Sequence, residues 1–240
     1  MAVLRDYTAL SFDVYGTLID WESGMVNGLR PLTDRLPSGM SDDAVLEMHA
    51  RHESAAQAQT PGRLYSDLLA TVYRRCAEEL HLAVDWEECE RYGANVGNWP
   101  DFPDSAEALA YLKQHYRMIF LSNVDNRSFA GAAKKLGIAW DAVFTAEDVG
   151  SYKPSQRNFD YLLAGIERMG IEKHKLLHTA ESMFHDHVPG RANGLDNAWI
   201  YRRHAKKGFG ATMDPGKLAE TTFRFNSLAE MAEAHESGQL

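Results

Sequence analysis

An apolar segment that ends at a carboxylate constrains the fold of this chain more than any other feature. Residues 8–18 read TALSFDVYGTL, so a β-rich run stops at Asp13 and is soon followed by Gly16. This pattern predicts a strand whose C-terminal end carries Asp13 into a tight loop. Ligands of open α/β sheets bind at that end of the strands. Asp13 is therefore a candidate carboxylate nucleophile, and the alternative is an aspartate that only caps a turn.

Three further segments place polar side chains at the ends of apolar strands or in loops. They are residues 119–123 (IFLSN), 151–154 (SYKP) and 176–186 (LLHTAESMFHD). A nucleophilic aspartate, a Ser-Asn pair, a lysine and a late acid, in this order, resemble the haloacid dehalogenase superfamily of hydrolases. More closely, they resemble its L-2-haloacid dehalogenases of type II. The resemblance covers essentially the whole chain and depends on four motifs, DxYGT, LSN, YKP and ESxxxHD.

The pattern of the whole chain is that of an α/β protein. Strands are predicted at residues 117–122, 142–145, 175–180 and 198–201. Helical patterns between them imply crossover connections and a mostly parallel sheet. Residues 19–98 show only helical patterns, clearest at 62–82, where apolar residues recur every four positions. The resemblance implies a Rossmann-like core, residues 1–18 and 99–240, with residues 19–98 as a helical cap domain inserted after the first strand.

The resemblance also implies which side chains form the site. Catalytic roles fall to Asp13, Thr17, Ser122, Asn123, Lys153 and Asp186. Substrate contacts fall to Val14, Tyr15, Trp99, Phe159, Ser182 and His185. In this chemistry Asp13 attacks the α-carbon of a short 2-haloacid and expels halide, and water then hydrolyses the ester to the 2-hydroxyacid. Lys153 would hold the charges in place, and Asp186 would orient or deprotonate the water.

Tyr15 and Glu181 indicate different reactions. Phosphatases of this superfamily usually carry a second aspartate two residues after the nucleophile, as a general acid, and here that position is Tyr15. A departing halide needs little or no protonation, so Tyr15 favours carbon–halogen chemistry without a required cofactor. Glu181 and Asp186, however, have the spacing of two acids that assist Mg²⁺ binding in magnesium-dependent members. If Mg²⁺ is bound, its ligands would be Asp13, Tyr15, Glu181 and Asp186; alternatively, Glu181 pairs with Lys153.

Four positions depart from the dehalogenase pattern: Glu181 replaces a small hydroxyl residue, Met183 replaces an amide, and two further changes affect contacts with the substrate and the halide. The cap arginine that helps to hold the departing halide in that family is replaced by Met48. Candidate substitutes are His49, Arg51 and His52. A tyrosine that contacts the substrate in the family is Phe159 here. The sequence therefore leaves open which 2-haloacid is the substrate and which halogen it carries.

Composition and charge restrict the partners. The 240 residues are 45% apolar and 25% charged, as in an ordinary globular protein. A formal charge of −9 argues against nucleic acid or an anionic membrane as a partner, but not against a small anionic substrate such as a 2-haloacid. No run reaches the ~20 apolar residues of a membrane span, and Cys76 and Cys89 lack metal-ligand spacing. We expect a cytoplasmic protein with reduced thiols, and a homodimer is possible.

Three functions follow from these patterns and stay open at this point. The first is a 2-haloacid dehalogenase that works through an ester on Asp13. The second is a Mg²⁺-dependent phosphatase of a small phosphoester, with Asp13 as the phosphoryl acceptor. The third is a non-catalytic member of the fold that binds a small acid. Exchange of Asp13 for asparagine separates the enzymes from the binding protein, and chelation of metal ions separates the two enzymes.

Overall fold

A sheet of six parallel strands forms the centre of the computed structural model, which describes residues 2–137 and 139–238. The strands are β1 (Ala9–Phe12), β2 (Arg117–Ser122), β3 (Ala142–Thr145), β4 (Leu176–Ala180), β5 (Asp196–Ile200) and β6 (Phe223–Phe225). Their order across the sheet is β3-β2-β1-β4-β5-β6, and every neighbouring pair is parallel. The predicted α/β class with a mostly parallel, Rossmann-like sheet is confirmed.

Ten α-helices accompany the sheet in the described part of the chain. They are α1 (Trp21–Thr33), α2 (Asp42–Gln59), α3 (Tyr65–Glu79), α4 (Trp86–Ala94), α5 (Ser105–Leu112), α6 (Asn126–Leu136), α7 (Ala146–Val149), α8 (Gln156–Arg168), α9 (Val188–Ala192) and α10 (Leu228–Ser237). Short 3₁₀ turns lie at Leu4–Asp6, Val96–Asn98 and Lys173–Lys175, and a π-helical turn lies at Met183–His187. None of the helices among these residues combines the length and the apolarity that a bilayer crossing requires.

Strand β1 lies inside the sheet, at the point where the strand order reverses. It pairs with β2 on one side and with β4 on the other. All four of its residues are buried, which explains why its sequence is a continuous run rather than an alternating pattern. The ligand crevice of such a sheet lies beyond the carboxyl ends of the strands at this reversal. Asp13 follows β1 directly, so the fold places it at that crevice.

Most predicted elements are present, and their ends differ by a few residues. The strands predicted at 117–122 and 142–145 have those bounds in the structure, and the strand predicted at 198–201 begins two residues earlier. Strand β6 was not predicted, because three residues are too few to show a period. The helix expected near Asp186 begins as the π-helical turn Met183–His187.

Helices α1 to α4 form an insert between β1 and β2, as expected of a cap. The two segments that connect the insert to the sheet pair with each other. The Asp20 amide donates to the Pro100 carbonyl at 2.7 Å, and the Phe102 amide donates to the Leu18 carbonyl at 3.0 Å. This pairing lies at the expected boundaries, and we therefore propose residues 19–98 as the cap domain.

The Asp125 carboxylate joins the insert to the sheet layer. Its Oδ1 accepts a hydrogen bond from the Ser128 amide at 2.8 Å and so caps α6. Its Oδ2 accepts from the Ser66 amide, in the first turn of α3, at 2.8 Å. Burial alone would raise the pKa of Asp125, but these N–H donors hold it below its usual range. One carboxylate therefore satisfies helix N-termini from both parts of the molecule.

Two glycines set the distance between the insert and α6. A Cβ atom at Gly131 would lie 2.4 Å from the Gly97 carbonyl oxygen, a backbone atom that cannot rotate away. Gly131→Ala is therefore expected to lower the free energy of unfolding by about 1–3 kcal/mol, although alanine itself favours a helix. Chemical denaturation measures the change. Gly62→Ala is the control, since the nearest atom to a Cβ there is 3.9 Å away; equal losses in both variants would contradict the close backbone contact.

Candidate active site

The ammonium group of Lys153 lies at the centre of the candidate site. Its Nζ donates to Asp13 Oδ1 at 2.9 Å, to Asp186 Oδ1 at 2.7 Å and to the Leu121 carbonyl at 3.0 Å. Lys153 is 1% exposed, and these three bonds use all three of its donors. The structure thus brings together three of the predicted catalytic residues from three separate segments. We call Asp13, Lys153 and Asp186 the charged triad.

Thr17 holds the second oxygen of the Asp13 carboxylate. Its Oγ1 donates to Asp13 Oδ2 at 2.7 Å and accepts from the Glu181 amide at 2.8 Å. The buried hydroxyl therefore ties the loop after β1 to the loop after β4. Gly16 has a φ of +101° in the first of these loops, a conformation that side chains rarely adopt.

Asn123 acts on Lys153 through the backbone. Its Nδ2 donates to the Lys153 carbonyl at 3.0 Å, and its Oδ1 accepts from the Lys153 amide at 2.6 Å. Both functional groups of the amide thus fix the chain that carries the ammonium. Ser122 is buried beside it, and its Oγ has no hydrogen-bond partner among the described residues.

A buried histidine that the sequence analysis did not select supports Asp186. His178 Nε2 lies 3.1 Å from Asp186 Oδ1, and Nδ1 lies 2.8 Å from Ser11 Oγ. Because a carboxylate only accepts, Nε2 donates, and Nδ1 then accepts from the serine hydroxyl. Ser11 and His178 are register partners on β1 and β4. Two polar residues inside otherwise apolar strands are the sequence signal that could have identified this pair.

Burial and charge act in opposite directions on the charged triad. Burial raises the pKa of Asp13, Lys153 opposes that effect, and the Asp186 charge adds to it. Burial also acts on Asp186, but Lys153 and His178 hold the pKa of that carboxyl well below its usual range. Although burial works against its charge, the pKa of Lys153 is raised by the two carboxylates. The ammonium therefore stays charged and compensates the acids on either side.

A small cavity opens onto the triad from the side of the insert. The residues that line it are Asp13, Tyr15, Asn123, Val124, Lys153, Ser182, His185 and Asp186 of the sheet layer, with Trp21, Glu53 and Tyr65 of the insert. Its free volume is about 20 Å³, enough for about one water molecule. The insert therefore has to move before a substrate reaches Asp13.

Three of the side chains predicted to contact the substrate line this cavity: Tyr15, Ser182 and His185. The Tyr15 hydroxyl donates to the Ser128 carbonyl at 2.9 Å, so its proton is already engaged. Ser182 Oγ accepts from the His185 amide at 3.0 Å. Burial lowers the pKa of His185 to about 4, which leaves the imidazole neutral at pH 7.

The other three residues predicted to contact the substrate do not line the cavity in this arrangement. Val14 is fully buried in the core. Trp99 packs edge-on behind Tyr15, with ring centroids 5.9 Å apart. Phe159 packs in the same way against His178, at 5.9 Å. An apolar side chain beside a site can pack in the core or contact the substrate, and sequence position does not distinguish these two roles.

The candidate substitutes for the missing arginine do not reach the cavity either. Arg51 and His52 both pair with Glu79 near the surface, at 2.8 and 2.7 Å. His49 and Met48 are fully buried within the insert. Within the described chain, the insert therefore lines the cavity with an acid and two aromatic side chains, and with no arginine.

Glu181 faces a second cavity of about 210 Å³, on the other side of Trp21. Glu22 and Arg203 line the same space. Burial, together with the charges of Glu22 and Asp13, raises the pKa of Glu181 to about 8. The carboxyl group of Glu181 is therefore largely protonated at neutral pH.

A magnesium site is not assembled by these residues. Across residues 2–137 and 139–238, no three carboxylate, imidazole or thiolate groups are arranged to hold a metal ion. Asp13 and Asp186 both direct Oδ1 to Lys153, so the suggested pairing of Lys153 with Glu181 is wrong. The set Asp13, Tyr15, Glu181 and Asp186 consequently does not fit Mg²⁺ in this arrangement.

Comparison with known proteins identifies the family. A family model described as haloacid dehalogenase-like hydrolase matches residues 7–179, from the residues before β1 into β4. The chain belongs to the haloacid dehalogenase-like hydrolases. The superfamily resemblance inferred from the four motifs is thereby confirmed.

Individual relatives of these hydrolases are distant in sequence. YfnB of Bacillus subtilis (strain 168), named as a HAD-hydrolase, is 22% identical over 202 residues, which are 82% of this chain and 85% of YfnB. A structure of YfnB bound to magnesium has a TM-score of 0.73 at 17% identity and covers 96% of this chain and 99% of that one.

Solved dehalogenases share the whole fold. The defluorinating L-2-haloacid dehalogenase Rha0230 has a TM-score of 0.77 at 18% identity, with 98% of this chain and 99% of that chain covered. The L-2-haloacid dehalogenase of Xanthobacter autotrophicus, with chloropropionic acid covalently bound, has a TM-score of 0.74 at 15% identity, with 96% and 98% covered. At these identities the likeness establishes the fold.

Removal of the central cation should destabilise the protein strongly at neutral pH. Lys153→Met leaves Asp13 and Asp186 buried without a counter-charge, so we expect a loss of about 3–5 kcal/mol in the free energy of unfolding at pH 7. The loss should shrink at pH 5, since the two acids can then take up protons. Denaturant titrations at both values of pH measure it. Lys113→Met, which breaks the partly exposed pair with Asp141, is the control and should cost at most about 1 kcal/mol.

Glu181 should make stability fall as the solution becomes alkaline. Its pKa of about 8 in the folded protein exceeds the value of about 4.3 expected when unfolded. The folded state therefore binds more protons between these values, and the free energy of unfolding declines as pH rises through that window. Glu181→Gln should flatten the profile of melting temperature between pH 5 and pH 9. The exposed Glu167→Gln is the matched control, and parallel profiles for both variants would refute this assignment.

Proposed function

We propose that this hydrolase converts a short 2-haloacid to the 2-hydroxyacid through an ester on Asp13. The charged triad supports this reaction, because it holds a carboxylate nucleophile beside a fixed ammonium group. The covalent chloropropionic acid in the Xanthobacter autotrophicus dehalogenase agrees with an ester route on this fold. The substrate is then a small anion, and the reaction needs no metal ion.

One observation favours carbon–halogen over phosphoester chemistry. Tyr15 stands where phosphatases of the superfamily usually carry their general acid, and its hydroxyl already donates to the Ser128 carbonyl. General acid catalysis is worth about 10²–10⁴-fold when an alkoxide leaves. Halide is a weak base and departs without a proton. A site that lacks this acid therefore suits halide much better than an alcohol.

The first step is substitution at carbon. A carboxylate oxygen of Asp13 attacks the α-carbon, a C–O bond forms, and halide leaves with the electron pair of the carbon–halogen bond. Thr17 and Lys153 orient the carboxylate during the attack. The peptide N–H groups of Val14 and Tyr15 have no acceptor in the described chain and are available to the substrate carboxylate. Val14 would then act through its backbone rather than through its side chain.

The second step is hydrolysis of the ester. Water attacks the carbonyl carbon of Asp13, the bond to the departing 2-oxygen breaks, and that oxygen takes a proton while a second proton passes to solvent. Asp186 Oδ2 is buried and has no partner among the described residues, so it is the acceptor available to this water. The low pKa of Asp186 suits it to orienting the water rather than to keeping its proton.

The decisive test is halide release in the presence of EDTA. Chloroacetate, fluoroacetate and 2-chloropropionate should release halide without added metal, and Asp13→Asn should reduce the release below detection because an amide is a poor nucleophile. Ion chromatography measures the halide. Asp160→Asn, which removes an exposed carboxylate of α8, is the control and should retain activity.

A second candidate function is favoured by the position of Glu181. Its peptide N–H bonds to the same Thr17 hydroxyl that bonds to Asp13, and the charges of Asp13 and Asp186 help to raise the pKa of its carboxyl, so a third acid lies near the triad. The relative YfnB binds magnesium on this fold. Phosphate release from small phosphoesters that requires Mg²⁺, without any halide release, would establish a phosphatase instead. Release of neither halide nor phosphate would indicate a protein that only binds a small acid.

A further inference from the structure

We propose that Glu53 makes this site select 2-haloacids that carry a hydrogen-bond donor, a hydroxyl or an ammonium group, on the carbon next to the reacting carbon. The proposal rests on the dehalogenase function argued above and names its substrate class. Glu53 takes no part in the reaction steps proposed above. Its proposed role is to determine which 2-haloacid binds, through direct contact with the substrate.

The placement of Glu53 is unusual for a glutamate. It lies on the inward face of α2 in the insert, is 6% exposed, and lines the same cavity as Asp13 and Lys153. Glutamate is rarely buried unless it is paired. A buried carboxylate that faces a reactive cavity therefore needs a chemical explanation.

Only half of the Glu53 carboxylate is satisfied within the protein. Oε1 accepts from Gln57 Nε2 at 2.9 Å and from the Tyr65 hydroxyl at 3.0 Å. Oε2 has no aligned hydrogen-bond partner among the described residues. His49 Nδ1 lies 3.3 Å from Oε2, but it too is left without an aligned partner. The two bonds to Oε1 hold the group in place, and Oε2 lies beside the His49 ring without an aligned donor.

The cavity has little positive charge to offset a negatively charged substrate beside Glu53. Among the described lining residues, Lys153 is the one cationic side chain, and its donors are used by Asp13, Asp186 and a carbonyl. The pKa of His185, lowered to about 4 by burial, keeps that ring neutral. A 2-haloacid brings a further negative charge. An apolar substituent against Oε2 would leave a buried, charged acceptor unpaired, which is costly.

A hydrogen-bond donor on the substrate would pair Oε2, and a positively charged donor would also reduce the excess negative charge. A hydroxyl or ammonium group next to the reacting carbon would give Oε2 its missing partner, and an ammonium would also offset the negative charge. Hydrogen bonds to a charged group are stronger than those between neutral groups. Sites built to bond a polar group reject analogues without it much more strongly than apolar pockets reject a missing methylene. The expected preference is therefore large enough to measure.

The test compares substrates of equal size. 2-Chlorobutanoate, 2-chloro-3-hydroxypropanoate and 3-amino-2-chloropropanoate have the same number of chain heavy atoms and differ in the terminal group. We expect kcat/KM for the amino and hydroxy acids to exceed that for 2-chlorobutanoate by about 10- to 100-fold in the native protein. Glu53→Gln keeps the shape but removes the charge, and it should lower the preference for the amino acid by about tenfold or more.

Two comparisons distinguish a role of Glu53 in substrate preference from a role in holding the structure together. Glu47→Gln removes an exposed carboxylate from the same helix and should leave the preference unchanged. A purely structural role of Glu53 would reduce turnover of all three substrates equally and would leave their ratio constant. A constant ratio in Glu53→Gln, with halide release from 2-chlorobutanoate retained, would overturn the proposal and leave the dehalogenase function standing.

Calorimetry of the products tests selection independently of turnover. 3-Amino-2-hydroxypropanoate and 2,3-dihydroxypropanoate should bind the native protein more tightly than 2-hydroxybutanoate, and Glu53→Gln should remove the difference. This result without any halide release would support the selectivity and reject the dehalogenase reaction. Equal affinities of the three acids, or binding of none, would overturn the role of Glu53.

Discussion

The structure depends on one ammonium group held between two buried carboxylates. Ionised acids cost several kcal/mol each to bury, and that cost is offset only when charge and hydrogen bonds are well placed. Lys153 meets this condition for Asp13 and Asp186 at the same time. Its own position is fixed by the Asn123 amide, while Thr17 and His178 fix the two acids. The parallel strands bring these residues together because each residue lies in a strand or in a connection that leaves the carboxyl end of a strand.

The insert adds what the sheet layer lacks. The sheet layer supplies Asp13, Lys153 and Asp186, but leaves the cavity without a wall on one side. Glu53, Tyr65 and Trp21 complete it, with room left for about one water molecule. The insert therefore supplies one wall of the cavity, and it has to move away from the charged triad before a substrate reaches Asp13.

Sequence patterns predicted the fold, and they predicted that Asp13, Lys153 and Asp186 lie together, because both features depend on strand ends and loop residues. Asp13, Lys153 and Asp186 could be selected since each charged side chain follows an apolar run or lies in a loop. His178 was missed because its partner, Ser11, is distant along the chain and becomes adjacent only through the β1–β4 register. Trp99 and Phe159 pack outside the closed cavity, and sequence could not decide their position, because a large apolar residue beside a site has the same local pattern whether it packs or binds. The orientation of Glu181 toward a second cavity depends on packing, which no local pattern encodes.

The Asp125 carboxylate gives the closed position of the insert a specific contact with the sheet layer. In the closed arrangement it accepts one N–H from α6 and one from α3. When α3 moves away, the Ser66 N–H loses its acceptor, but the Ser128 N–H keeps its own and α6 stays capped. Opening therefore breaks one charge-assisted hydrogen bond across the boundary, while the helix that remains with the sheet keeps its N-terminal cap.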